Sequence, residues 1–124
     1  ELDVTSPQQI EAFFKANTTD VCINAAAYTH VDKAEEEPEA AYLLNETAPR
    51  LLAEACKKHG IFLVHISTDY VFDGTKGSPY TAEDRPNPIN VYGASKLAGE
   101  KAIAVVGGDY CIVRTSWQIS FQAP

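Results

Sequence analysis

The amino-acid sequence predicts an α/β domain in which helices flank a parallel sheet. Two observations lead to this fold class. Segments with helical and with strand-like periodicity alternate along the chain, and strand-like runs such as IFLVHIS are almost wholly apolar. Apolar strands of this kind are typical of parallel sheets, which helices cover on both faces. We expect one domain over residues 1–124, with 45% hydrophobic residues available for a core.

The first half of the chain predicts helix, strand and helix. A helix is expected from Ser6 to Ala16, because Ser6 can accept a capping hydrogen bond and Pro7 suits the first helical position. The run DVCINAAA then predicts a buried strand that ends in small residues. The apolar periodicity over residues 31–59 predicts a second helix, which Gly60 ends as a C-cap residue.

The second half repeats this pattern around one long loop. IFLVHIS is the next predicted strand, and residues 69–90 form a loop rich in Gly, Pro, Asp and Asn. A helix is expected over residues 91–106, followed by the last strand, YCIVRTSW. A loop of this length inside a compact domain is commonly functional.

Composition excludes several classes of partner. The formal net charge of -7 argues against nucleic-acid binding, which needs basic surface, and no apolar run is long enough to span a bilayer. The three cysteines stand far apart, which indicates free thiols and a cytoplasmic location. We expect no metal site, because the spacing of the three histidines is not that of metal ligands: His30, His59 and His65.

Unusual residues stand where three predicted strands end, which is where ligands bind in open α/β sheets. The first strand ends in NAAAYT, whose small side chains let a flat ligand approach, although tight helix packing selects the same residues. The second ends in STDY, which also suits a capping turn. The third ends in RTSW, whose tryptophan is equally typical of a core.

Tyr92 and Lys96 lie four residues apart and therefore share one face of a predicted helix. A phenol ordinarily loses its proton near pH 10, and a neighbouring ammonium lowers that pKa. We expect Lys96 to lower the pKa of Tyr92 and to make it an acid–base group near neutral pH. A solvated helix face explains the same spacing, so the prediction depends on whether the strand ends, with the Thr68 hydroxyl, converge beside the pair.

Four segments together resemble the extended short-chain dehydrogenase/reductase family: NAAAYTHVDKAEEEPEAAYLLN, HISTDYVFDG, PNPINVYGASKLAGE and IVRTSW. The resemblance covers nearly the whole chain and implies a partial NAD(P)-binding Rossmann-type domain. It is strongest to the members that reduce the 4-keto group of dTDP-4-dehydro-6-deoxy-L-mannose with NADPH or NADH in L-rhamnose synthesis. It therefore implies a nucleotide-sugar substrate, a cytoplasmic enzyme and, for the full-length protein, a homodimer.

The resemblance also implies roles for individual residues. Tyr92 resembles the family's proton donor, Lys96 the lysine that lowers its pKa and holds the nicotinamide ribose, and Thr68 the hydroxyl that completes the triad. The remaining implied cofactor-binding residues are Asp3 and Val4 beside the adenine, then Ala25, Ala26, Ala27, Tyr28 and Asn45. The implied substrate-binding residues are Thr68, Asp69, Tyr70 and Trp117.

The chain departs from the family pattern in ways that limit these expectations. Related dehydratases carry Thr-Asp-Glu where this chain has Tyr70 in the third position, so a base for elimination is missing and simple reduction is favoured. No G-x-x-G-x-x-G motif precedes Asp3, and the family's Tyr-Gly turn after Trp117 is replaced. We expect a piece that lacks the first βα units and the C-terminal substrate region, and that is inactive alone.

Two other interpretations remain open. One is a non-catalytic subunit that binds a nicotinamide cofactor, resembling the regulatory β subunit of methionine adenosyltransferase. The other is a structural segment without activity. Intact Thr68, Tyr92 and Lys96 favour catalysis over both.

Overall fold

The structure, a computed structural model, describes residues 1–116 and contains one parallel sheet with the strand order β1-β2-β3. The strands are β1 (Val21–Asn24), β2 (Phe62–Thr68) and β3 (Tyr110–Thr115). Val21 pairs with Phe62, and Thr68 pairs with Thr115, so the carboxyl ends of all three strands meet at one edge. The predicted parallel sheet is confirmed.

Within residues 1–116, five α-helices connect and flank these strands: α1 (Pro7–Ala16), α2 (Val31–Ala34), α3 (Pro38–Tyr42), α4 (Ala48–His59) and α5 (Val91–Val106). Helix α1 begins as predicted, with the Ser6 hydroxyl accepting a hydrogen bond from the Gln9 N–H at 3.3 Å. Gly60 ends α4 in the left-handed conformation, with φ of 67°. None of the helices within residues 1–116 has the length and apolar character needed to cross a lipid bilayer.

The prediction of a single helix over residues 31–59 is wrong. The chain leaves α2 at Glu35, and Glu37 has φ of -127° and ψ of 55° because the ring of Pro38 disfavours helical geometry in the residue before it. Helix α3 then begins at Pro38, and a π-helical turn over Leu43–Thr47 joins it to α4. The first strand is also shorter than DVCINAAA, because its alanines belong to the loop beyond Asn24.

The hydrophobic core lies on one face of the sheet. It joins residues of α1, α4, β2 and α5 with Ile61, which immediately precedes β2: Ile10, Phe14, Leu52, Ala53, Ala55, Cys56, Ile61, Leu63 and Ile103. On the other face Val21 and Ile23 are 50% and 67% exposed, and Phe62 and Val113 are also exposed. The prediction of helices on both faces is therefore wrong for residues 1–116. Parallel neighbours joined by crossovers of one hand place both connecting helices on the same side.

The long loop between β2 and α5 is ordered around one carboxylate. After a short 3₁₀ turn at Asp69–Val71, Asp73 accepts hydrogen bonds from the Thr75 N–H, the Tyr80 hydroxyl and the Asn87 amide. These bonds, that of Asn87 first, lower the pKa of Asp73. These hydrogen bonds fix the loop, which leads to the start of α5 at the carboxyl edge of the sheet.

Candidate active site

A cleft of about 400 Å³ opens at the carboxyl edge of the sheet. Residues that follow or end each strand line it, together with two side chains of α5: Ala25, Ala27, Thr29, Val31, Ile66, Ser67, Thr68, Asp69, Tyr70, Tyr92, Lys96, Thr115 and Ser116. The predicted convergence of the strand ends with Tyr92 and Lys96 is thus found. A second cavity of about 720 Å³ adjoins the cleft and shares Asp69, Thr115 and Ser116 with it.

Tyr92 stands in the first turn of α5, with its ring edge-on to the ring of Tyr70 at a centroid distance of 5.5 Å. Burial raises the pKa of Tyr92, and the negative charge of Asp69 acts in the same direction. A hydrogen bond with the Thr68 side chain opposes both effects. The prediction of a lowered pKa is wrong, because burial and the charge of Asp69 together outweigh the hydrogen bond with Thr68. The phenol therefore keeps its proton at neutral pH.

Lys96 is nearly buried, with 3% of the residue exposed, and its Nζ donates a hydrogen bond to the Ile66 carbonyl oxygen at 2.8 Å. Burial lowers the pKa of Lys96 to about 8, and the nearby Glu100 carboxylate opposes this effect. The side chain is therefore mostly charged at pH 7. An ammonium carries three donors, so further N–H groups remain for a ligand in the cleft.

Two side-chain acceptors fix the first turn of α5. The Asn90 side chain accepts a hydrogen bond from the Gly93 N–H at 2.8 Å, and Glu35 Oε1 accepts one from the Val91 N–H at 2.9 Å. Gly93 permits this geometry, since a Cβ at that position would collide with the Tyr70 carbonyl oxygen. The position of Tyr92 is therefore set from outside its own helix.

Asn24 shapes the loop that follows β1. Its side-chain oxygen accepts a hydrogen bond from the Ala26 N–H at 3.1 Å, and its side-chain nitrogen lies 3.1 Å from Nδ1 of His65. His65 is fully buried, and burial lowers its pKa to about 4. The imidazole is therefore neutral and accepts from Asn24 through Nδ1.

Asn45 holds the same loop at its far end. Its side-chain oxygen accepts from the Tyr28 N–H at 2.9 Å, while its nitrogen donates to the Tyr28 carbonyl oxygen and to the Ser95 hydroxyl at 3.1 and 3.0 Å. Asn45 is fully buried in the π-helical turn. It thus ties the loop to α5, and its amide is occupied by protein partners.

Some of the predicted site residues line the cleft, and others do not. Thr68, Asp69, Tyr70, Tyr92 and Lys96 all line the cleft, as do Ala25 and Ala27. The remaining predicted residues in the described part of the chain do not line it: Asp3, Val4, Ala26, Tyr28 and Asn45. The cofactor roles of those five stay predictions, and Trp117 lies outside the described residues.

The residues absent from the lining have other contacts. Asp3 accepts two hydrogen bonds from Thr5 in the turn before α1, and Val4 packs against the core. The Tyr28 phenol donates to Glu37 at 2.7 Å, and burial followed by this bond raises the pKa of Tyr28 to about 12. These side chains thus have partners away from the cleft, which their positions in the sequence did not reveal.

Sequence reasoning missed several supporting residues: Asn24, Glu35, Gly93, Ser95 and Glu100. For Glu100 a signal was present, because it follows Lys96 at the same four-residue spacing that separates Lys96 from Tyr92. The others owe their supporting roles to contacts across long stretches of the chain, such as that of Asn24 with His65 and that of Ser95 with Asn45, which no local pattern indicates. Within residues 1–116 no three His, Cys, Asp or Glu side chains are grouped so as to hold a metal ion.

Comparison with known proteins places these features in a family. Residues 1–122 match the family described as RmlD substrate binding domain. A dTDP-4-dehydrorhamnose reductase from Burkholderia thailandensis is 50% identical over 117 residues, which cover 94% of this chain and 39% of that protein. The chain thus spans about two fifths of the length of that curated relative.

Solved structures of similar proteins have the same fold. A dTDP-4-dehydrorhamnose reductase from Bacillus anthracis, solved in complex with NADP, has a TM-score of 0.91 at 44% identity, covering 94% of this chain and 41% of that one. Another from Clostridium acetobutylicum has a TM-score of 0.93 at 42% identity, with coverage of 98% and 44%. The predicted Rossmann-like fold class is confirmed by these neighbours.

Proposed function

The chain belongs to the family of RmlD substrate binding domains, and from that premise we propose that the protein containing it is a sugar-nucleotide reductase. The proposed reaction is reduction of the 4-keto group of dTDP-4-dehydro-6-deoxy-L-mannose to dTDP-L-rhamnose with NADPH or NADH. One observation carries the proposal: Thr68, Tyr92 and Lys96 line a single cleft at the carboxyl edge of a parallel sheet.

The residues of the cleft fit the nicotinamide end of such a cofactor. Ala25 and Ala27 leave the loop backbone open to close approach by a flat ring, and Lys96 offers N–H donors suited to ribose hydroxyls. We propose that these three residues hold the nicotinamide riboside, with Asn24 and Asn45 fixing the loop behind it. When bound, a reduced nicotinamide supplies the hydride.

Tyr92 and Thr68 are suited to handling the proton of the reduction. Because burial keeps the Tyr92 phenol protonated at neutral pH, its O–H is available to donate to the more basic oxygen that develops from the carbonyl. The Thr68 hydroxyl, next to the phenol, orients the same oxygen. Positioned proton donation of this kind contributes roughly 10²–10⁴-fold in rate.

The charge of Lys96 stabilises the phenolate that remains after donation. At pH 7 the ammonium is present, since its pKa lies at about 8. Tyr70 in the cleft carries no carboxylate that would act as a base for water elimination, which supports reduction over dehydration. Asp69 and Tyr70 are the proposed contacts to the sugar nucleotide.

The proposal is tested with the full-length gene product, NADPH or NADH, and dTDP-4-dehydro-6-deoxy-L-mannose. We expect cofactor oxidation that depends on the sugar nucleotide, with dTDP-L-rhamnose as product by chromatography. A protein that binds the cofactor and leaves the substrate unchanged would contradict the proposal and favour a regulatory binding subunit.

We propose further that residues 1–124 alone turn over little substrate, because they contain no G-x-x-G-x-x-G phosphate-binding motif. Steady NADPH oxidation by the isolated chain would contradict this. A cytoplasmic location is also proposed, supported by three free cysteines at positions 22, 56 and 111.

A further inference from the structure

Glu100 connects the three elements that carry the cleft. It lies on α5 with 6% of the residue exposed, and its Oε2 accepts a hydrogen bond from the Ser67 hydroxyl at 2.6 Å. The Arg114 guanidinium donates to the same carboxylate from Nη2 at 2.7 Å and from Nε at 3.1 Å. One buried carboxylate therefore joins α5 to both β2 and β3.

Ser67 lines the cleft itself, and both partners in this cluster precede a cleft residue. Ser67 immediately precedes Thr68 at the end of β2, and Arg114 immediately precedes Thr115 at the end of β3. Glu100 itself follows Lys96 by four residues and so lies one turn further along the same face of α5. A displacement of the Glu100 carboxylate would therefore disturb the cleft through α5, β2 and β3.

We propose that Glu100 is a positioning residue for the reduction: it holds Thr68 in place through Ser67, and it provides the buried carboxylate one turn from Lys96 on the same face of α5. The inference rests on the proposed function for its kinetic consequence. Its structural content rests on the contacts of Glu100 with Ser67 and Arg114 and, toward Lys96, on the four-residue spacing of two buried side chains of α5.

The surroundings of Lys96 explain why a counter-ion matters there. Burial disfavours the ammonium, and Glu100 opposes that effect from the same helix. Two neighbouring groups are neutral at pH 7, the Tyr92 phenol on α5 and the His65 imidazole on β2. Asp69 lines the same cleft as Lys96, and Arg114 on β3 is paired with Glu100.

Stability alone does not account for the cluster. Replacing a buried ion pair by apolar side chains of similar size is often neutral or stabilising. The chain also contains an exposed pair of the same type: Arg50 and Glu54 meet at 2.8 Å on the surface of α4. The buried pair instead lies one helical turn from Lys96 and next to the cleft residues Thr68 and Thr115, which favours a role in the cleft.

The test is Glu100→Gln in the full-length protein, with Glu54→Gln as the matched control that breaks the exposed pair. The pKa of Lys96 is followed by NMR of the lysine side chain in the absence of cofactor, and kcat/KM is measured against pH. We expect Glu100→Gln to lower both the Lys96 midpoint and the alkaline limb of the pH profile by about one pH unit. The control is expected to leave both unchanged.

A second variant keeps the test decisive where Glu100→Gln folds poorly. The double variant Glu100→Leu/Arg114→Met removes both charges and preserves side-chain volume. We expect it to fold and to lose turnover by about 10²-fold through misplacement of Thr68. A wild-type Lys96 midpoint in folded Glu100→Gln, or a wild-type rate in the folded double variant, would overturn the inference.

Failure of the proposed function is a separate outcome. If the wild-type protein reduces no 4-keto sugar nucleotide, the reductase proposal fails, yet the NMR titration of Lys96 still decides whether Glu100 controls its charge. An unchanged Lys96 midpoint with intact wild-type reduction would instead refute the role of Glu100 alone.

Discussion

Helices α4 and α5 pack against each other on one face of the sheet, yet they bury different chemistry. The buried positions of α4 are apolar and include Leu52 and Cys56. Those of α5 include Ser95, Lys96 and Glu100. Burying charge costs free energy unless partners compensate it, so a helix that buries several polar groups marks the functional side of the domain.

The largest expected effect comes from removing the buried charge of α5. Lys96→Met should lower kcat/KM by roughly 10²–10³-fold, the usual loss for a preorganised donor in an active site. Lys58→Met on α4 is the control, because that ammonium pairs with Glu11 at the surface. The measurement is kcat/KM for the two full-length variants. Equal losses would contradict a particular role for the buried lysine of α5.

A substitution in the apolar core of α4 should lower the stability of the protein and leave its catalytic activity unchanged. Leu52 is 3% exposed, and Leu52→Ala leaves a cavity that should lower the free energy of unfolding by about 2–5 kcal/mol. Denaturant titration measures this loss. The folded variant should keep the wild-type pH profile, whereas a shifted profile would mean that the core of α4 also tunes the cleft.

The pH dependence of Lys96 sharpens the contrast. Its pKa of about 8 lies below the unfolded value of 10.5, so the rate should fall as pH rises through 8 and the cation is lost. Over pH 8–10.5 the unfolded chain binds the proton more tightly, and stability linked to this group therefore rises with pH. Denaturant titrations across that window should show this slope in the wild type and lack it in Lys96→Met.

The smallest expected effect concerns the cap of α5. Glu35→Gln keeps an acceptor for the Val91 N–H and removes the negative charge at the helix N-terminus. The free energy of unfolding should fall by about 0.3–1 kcal/mol, and high salt should reduce the difference. Glu36→Gln, one residue further, is the control, and an equal loss there would point to general charge effects.

Local patterns predicted what depends on neighbours in the chain. Helix α5 was predicted to its end residues, and in the structure Asn90 caps its start and Gly107 follows its end. Apolar runs located β2 and β3, and their parallel order followed from the alternation with helices. The Tyr92–Lys96 spacing also placed both side chains correctly in one cleft.

Features that depend on distant contacts could not be predicted in this way. Asn45 reaches Tyr28 across 17 residues and Ser95 across 50, and Glu35 reaches Val91 across 56. The raised pKa of Tyr92 was missed because four-residue spacing reveals a charged neighbour and says nothing of burial. The break before Pro38 was missed although the proline was visible in the sequence.

The most direct test of the account replaces one hydroxyl in the cleft. Tyr92→Phe in the full-length protein should lower turnover by about 10²–10⁴-fold and leave the cofactor dissociation constant near the wild-type value. Tyr110→Phe is the matched control, because its phenol lies exposed at the opposite edge of the sheet. Reduction at the wild-type rate by Tyr92→Phe would contradict the assignment of Tyr92 as the proton donor.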